Sequence, residues 1–155
     1  MRRMLFGLAV LACSFGCSTQ QPPPFKAVVD TKDLMDSVID PNADIIWDSV
    51  KWITTAAGTE EFRPRTNEEW TAVRHAAITL TESGNLLMLV PRAKDADQWM
   101  KASQAMIESG QAAMAAIEKK DADELFTVGG YIYNACTNCH SKYIPEIVDA
   151  IRNGN

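Results

Sequence analysis

Trp70, Val73, Ala77, Leu80, Gly84 and Leu87 recur at spacings of three and four residues, and that rhythm constrains the fold more than any other feature of the chain. On a helix these positions form one stripe, the seam along which a helix packs on its neighbours. A chain of 155 residues, 46% hydrophobic, has enough apolar material to close such seams into a single core. Thr66-Asn67-Glu68-Glu69 precedes the stripe and matches a capping box, in which threonine and glutamate satisfy each other's free N–H groups. Pro91 ends the segment.

Three further segments carry the same signal. From about Val29 to Ile53, residues Leu34, Met35, Val38, Ile39, Ile45, Ile46, Val50 and Ile53 make a broad apolar face. Pro41 interrupts it, so this segment is expected either to kink or to form two short helices in series. Ala56 to Arg65, marked by Gly58 and Pro64, reads as a loop. A third helix is expected to open at Asp95 with Gln98 as its box partner, and its seam of Trp99, Ser103, Met106, Gly110, Ala113 and Ile117 is mostly small. The fourth opens at Asp121 with Glu124, and Leu125, Val128, Gly129, Ile132, Cys136 and Cys139 share one face before Pro145. No alternating strand pattern of any length is present. Four long amphipathic segments with short connections predict an all-α, antiparallel four-helix bundle.

The N-terminus reads as a targeting segment. Met1-Arg2-Arg3 is followed by a short apolar run, Met4 to Ala12, too short to span a bilayer and suited to a secretory signal. Ser14-Phe15-Gly16-Cys17-Ser18 looks like the cleavage and acylation site of a bacterial lipoprotein, with Cys13 as a second candidate. The alternative is an ordinary signal peptide and a protein free in the periplasm. Residues 1–16 are thus assigned to the signal peptide, 17–28, with Pro22-Pro23-Pro24, to an anchor site and tether, and 29–155 to the bundle. A diacylated Cys17 would hold the protein to a membrane. The net charge of −5 repels phosphate backbones, so nucleic acid is not an expected partner, whereas a basic patch on a redox partner would be attracted.

Cys136-Thr137-Asn138-Cys139-His140 carries the chemistry. The spacing is the attachment pattern of a c-type haem. Two cysteines three apart on a helix share a face and reach the two vinyl groups of one porphyrin, while His140, four on from Cys136, reaches the iron as proximal ligand. A redox dithiol would expect a thioredoxin-like βαβ setting, which is absent. A structural zinc would want four ligands, and His75 is the only other Cys or His after the leader.

A four-helix bundle with one such motif in its last helix resembles the cytochrome c prime family, over roughly Val29 to Ala150. The resemblance implies a periplasmic protein with one covalently attached haem c, a first helix that supplies the residue beyond the haem plane, and pairing of two copies through the first two helices. The small-residue seam of the third helix would serve such pairing equally well. The family's stretch Arg-x-x-x-(Leu or Met) matches Thr31-Lys32-Asp33-Leu34-Met35, with Thr31 where arginine stands and Met35 in the ligand position. Met35 is therefore expected as the sixth iron ligand, the alternative being a methionine that packs the core.

Two functions follow from that residue. With Met35 and His140 both on the iron, the protein is a one-electron carrier. With an open face lined by Leu34, Met35 and Ile39, it binds small gases such as nitric oxide or carbon monoxide. A haem peroxidase is the weakest reading, with Arg74 and His75 as the one adjacent pair to consider. His75 is also the rival sixth ligand. Trp47, Trp52, Trp70 and Trp99 are each candidates either to stack near a porphyrin or to fill the core. Arg63 and Arg65 are either partners for haem propionates or solvated charge.

Overall fold

The computed structural model describes residues 25–153, so the expected signal peptide, Cys13, Cys17 and most of the tether lie outside the described residues. The described chain is mostly helical. Its elements are α1 (Thr31–Leu34), a π-helical turn (Met35–Ile39), α2 (Asp40–Ser49), strands β1 (Lys51–Thr55) and β2 (Gly58–Phe62), α3 (Asn67–Leu87), α4 (Gln98–Glu118), α5 (Ala122–Tyr143) and α6 (Pro145–Arg152). No helix among the described residues is long and apolar enough to cross a membrane.

Four helical rods form the body: α1 with α2, then α3, α4 and α5. Successive rods pack on one another, and α5 returns to α2 to close the bundle. Neighbours run antiparallel. Gly84 lies against Ile107 and Gly110 against Thr81, so α4 descends as α3 rises. Trp47 of α2 donates to the Gly129 carbonyl of α5 at 2.9 Å, and Met35 shares a cavity with His140. The core runs through Ile46, Ala77, Leu80, Ala113, Leu125 and Ile132, all with essentially no exposure.

The caps explain most boundaries. Thr66 and Glu69 form the reciprocal box expected of them, and Asp121 accepts from the Glu124 N–H at 3.0 Å. The start of α4 differs from expectation. Asp95 does accept two backbone N–H groups, from Asp97 and Trp99, but the helix begins only at Gln98, and the side chain of the capping residue Asp97 pairs with Lys101 and caps none of the helix N–H groups. Asp95 therefore organises the approach to the helix, without Gln98 as a box partner.

Pro41 neither breaks the first rod nor splits it in two. Lacking an N–H, it cannot close an ordinary turn, and the rod widens ahead of it. The Asp40 N–H reaches back five residues to the Met35 carbonyl, and the Asn42 side chain donates to the Val38 carbonyl at 2.7 Å. Turns of this kind are rare and frequently mark functional sites.

The helix expected to continue to Ile53 stops at Ser49, and the expected loop from Ala56 is half strand. Lys51–Thr55 pairs antiparallel with Gly58–Phe62 as a two-stranded hairpin. Ile53, Thr54, Thr55 and Thr59 favour extended backbone, the Thr54 and Thr59 hydroxyls meet at 3.0 Å, and Gly58 adopts φ +134° at the turn. Almost the whole hairpin is exposed. A pair of strands alone is marginal in water; here Trp52 meets Phe126 of α5 edge to face, with centroids 4.6 Å apart.

Close approach of α3 and α4 depends on Gly84 and Gly110. A Cβ on Gly110 would fall on the Thr81 hydroxyl and press its Cα, while one on Gly84 would meet Ile107 and the Ser103 carbonyl. Gly110→Ala gains about 1 kcal/mol of helix propensity, but forcing an atom into a packed seam costs about 1–3 kcal/mol. Net destabilisation is the expected outcome, read as a lower midpoint in urea unfolding. Gly130→Ala is the control, because its added Cβ meets open space.

Candidate functional site

The residues singled out for chemistry come together at one end of the bundle. Met35, Asp40, Cys139 and His140 line both of two adjoining cavities. The smaller, about 20 Å³, also touches Cys136, Ile39 and Met106. The larger, about 810 Å³, extends past Val29, Arg92, Trp99 and Tyr143. That volume falls within the roughly 300–1,000 Å³ usual for cofactor sites.

Helix α5 supplies the motif. Cys136 and Cys139 are one turn apart, and both are half-buried free thiols packed against the core. Burial pushes the Cys136 thiol up to about 11, with Asp40 and Cys139 adding to the shift. Cys139 is raised as well, first by burial and then by Asp95. Both stay protonated at neutral pH. A catalytic dithiol needs the opposite, a lowered pKa and a ready thiolate. Among the described residues no three His, Cys, Asp or Glu side chains assemble into a metal-holding group, so a four-ligand zinc site has no donor set there.

Met35 enters from the first rod, at the start of the π-turn, half-buried and packed on the core. Leu34, its neighbour, is buried in the core and lines neither cavity. Of the residues proposed for an open face, Met35 and Ile39 reach the smaller cavity. Thr31 lies along the larger one.

Other candidates are placed elsewhere. His75 and Arg74 are exposed on α3 and line neither cavity, so His75 is not positioned as a rival ligand and the pair faces no pocket. Arg63 pairs with Glu61 and, at 3.4 Å, with Asp123 at the start of α5. His140 lies 17 residues further along that helix, about 26 Å away at about 1.5 Å per residue. Arg63 and Arg65 line neither cavity, which removes both as partners for a group held there. Among the tryptophans, Trp99 alone borders either of these two cavities. Trp70 fills the core, Trp47 bonds to Gly129 and Trp52 lies on the hairpin.

Three contributors were not found by sequence reasoning. Asp40 faces the motif; partial desolvation raises its carboxyl while His140 pulls it down. Tyr143, one turn beyond His140, donates to Asp95 and meets Trp99 edge to face at 5.0 Å. Trp99 in turn donates to the Leu87 carbonyl at 2.8 Å. Arg92 is the third. Only the spacing of Tyr143 from His140 offered a signal, since i and i+3 share a helix face.

The Tyr143–Asp95 bond makes the cavity wall pH-sensitive. Hydrogen bonds, first that from Tyr143, hold the Asp95 carboxyl at about 2, below its ordinary 3.8. A depressed carboxylate stabilises the fold above its unfolded pKa and loses that contribution as pH falls through the folded value. Tyr143→Phe is therefore expected to melt below wild type at pH 7, with the gap narrowing between about pH 4 and pH 2. Thermal melts across that range check it.

Comparison with family models, curated proteins and solved structures finds no match for this chain.

Proposed function

We propose that the chain is an exported bacterial c-type cytochrome of the cytochrome c prime kind, a one-electron carrier with a single covalently held haem. The observation that carries the reading is the convergence of Cys136, Cys139, His140 and Met35 on adjoining cavities at one end of the bundle. Two protonated thiols on one helical face, an imidazole beside them and a volume of about 810 Å³ fit such a group. Haem supplies a one-electron couple at its iron. The chain does the rest. Cys136 and Cys139 fix the group to α5, His140 gives an imidazole nitrogen, and Met35 offers a thioether from the first rod. Trp99, Leu87 and Met106 supply apolar wall that limits water.

Met35 favours the carrier over the gas-binding alternative, because its thioether sits at the cavity shared with His140. A signal peptide and lipid anchor at Cys17, or Cys13, belong to the same proposal and would keep the carrier at a periplasmic membrane surface, where it meets redox partner proteins.

Absorption spectra of the purified protein test the function. A low-spin ferric spectrum with a weak long-wavelength band from methionine ligation, and no carbon monoxide uptake by the ferrous form, is the expected result. A high-spin ferric spectrum with rapid carbon monoxide or nitric oxide binding would replace the carrier by the gas-binding protein.

A further inference from the structure

Arg92 sits in the connection between α3 and α4 and is only 6% exposed. Its Nε and Nη2 donate to the Val29 carbonyl at 3.2 and 2.9 Å, and its Nη1 donates to the Leu86 carbonyl at 3.1 Å. A guanidinium has five N–H donors and keeps its charge in proteins, so these three bonds to neutral carbonyls leave donors over. More telling is what is missing. Among the described residues no carboxylate forms an ion pair with Arg92. Residues 1–24 contain no Asp or Glu to provide one.

A buried charge without a counter-charge is costly, and such groups are normally paired. Arg92 also lines the cavity of about 810 Å³ that Cys139 and His140 border. The other charges on that lining are largely committed. Lys32 pairs with Asp36, and Asp30 accepts the Asp33 N–H to cap α1. Asp40 lies by His140, and Lys94 adds a second cation on the wall that carries Arg92. The buried guanidinium is thus matched to an anion brought by whatever fills the cavity.

We infer that Arg92 holds a propionate carboxylate of the haem proposed above, an inference that rests on that reading. A planar fork of N–H donors suits a carboxylate, which an ammonium meets only as a point charge. The same side chain grips Val29, so Arg92 also ties the segment entering α1 to the cavity wall. It is a binding and positioning residue. The Met35 rod begins two residues beyond the carbonyl it holds.

The test uses haem-loaded full-length protein, wild type and Arg92→Gln, with resonance Raman spectra and redox titration. Loss of the guanidinium is expected to shift the propionate bending band, the signature of a lost hydrogen bond to that carboxylate. It is also expected to lower the midpoint potential, because a removed positive charge favours the oxidised iron. Arg92→Lys keeps the charge, so its potential should stay near wild type while the band still moves. An unchanged bending band in folded, haem-loaded Arg92→Gln would overturn the inference, whatever happens to stability. If that variant does not fold, the band in Arg92→Lys decides in the same way. Haem staining of denatured wild type separates the two proposals: no covalent haem overturns both, whereas stained protein with an unmoved band overturns only this one.

Discussion

Replacing Cys136 and Cys139 by serine is expected to abolish covalent haem, reducing the mass of the denatured chain by one haem and erasing its red colour on a denaturing gel. The serine hydroxyls are near-isosteric but form no thioether. Stability should fall with it. Cys139 borders the cavity of about 810 Å³ beside Trp99, and both thiols border the adjoining cavity of about 20 Å³, where Leu87 and Met106 belong to the core. A porphyrin is larger than an aromatic side chain, for which burial of about 150–250 Å² is usual. At about 25 cal/mol per Å², leaving such a surface unburied forfeits at least ~4 kcal/mol. A change of that size lowers the melting temperature by more than about 10 °C in a domain of this length. Mass spectrometry and calorimetry on protein made in a host with haem-attachment machinery check both halves. A mass difference no larger than the two sulfur-for-oxygen exchanges themselves would end the cytochrome reading.

Met35→Leu should have the second largest effect, and it should be spectroscopic. Leucine conserves volume closely enough that the packing cost stays below about 1.5 kcal/mol, so the change isolates the sulfur. The expected outcome is a ferric spectrum converted from low to high spin, new carbon monoxide binding, and a lower midpoint potential. Axial ligands set haem potentials over a range of about 0.8 V, and a thioether lies toward the high end, so the drop should be a sizeable part of that range. His75→Ala is the control; its exposed site on α3 borders neither cavity and predicts no spectral change. A low-spin spectrum retained in Met35→Leu would remove Met35 as a ligand.

The two variants address different links. The cysteines test whether the cavity holds a covalent group at all, and Met35 tests what that group does once held. Gly110→Ala and Tyr143→Phe bear only on the scaffold, through the α3–α4 seam and the cavity wall respectively.

Much of the scaffold was legible because a helix prints its buried face into the sequence at a period of 3.6 residues. The Trp70–Leu87 stripe and the Thr66 and Asp121 caps all fall where local chemistry placed them. The hairpin was not legible. Val50 and Ile53 prolong the helical spacing from Ile46, and strands exposed on both faces have no buried side to impose alternation. The start of α4 was not legible either, because Asp95 bonds two N–H groups from outside the helix, as a cap would from its first turn.

The sequence by itself determined the motif, Cys136, Cys139 and His140 on one helical face, because residues three and four apart on a helix are neighbours whatever the fold. Only the tertiary structure decided what surrounds it. It brought Met35 across from another rod, left His75, Arg63 and Arg65 away from the cavities, and buried Arg92 without a counter-charge. Contacts between residues dozens of positions apart depend on how the rods pack, and no local spacing encodes them.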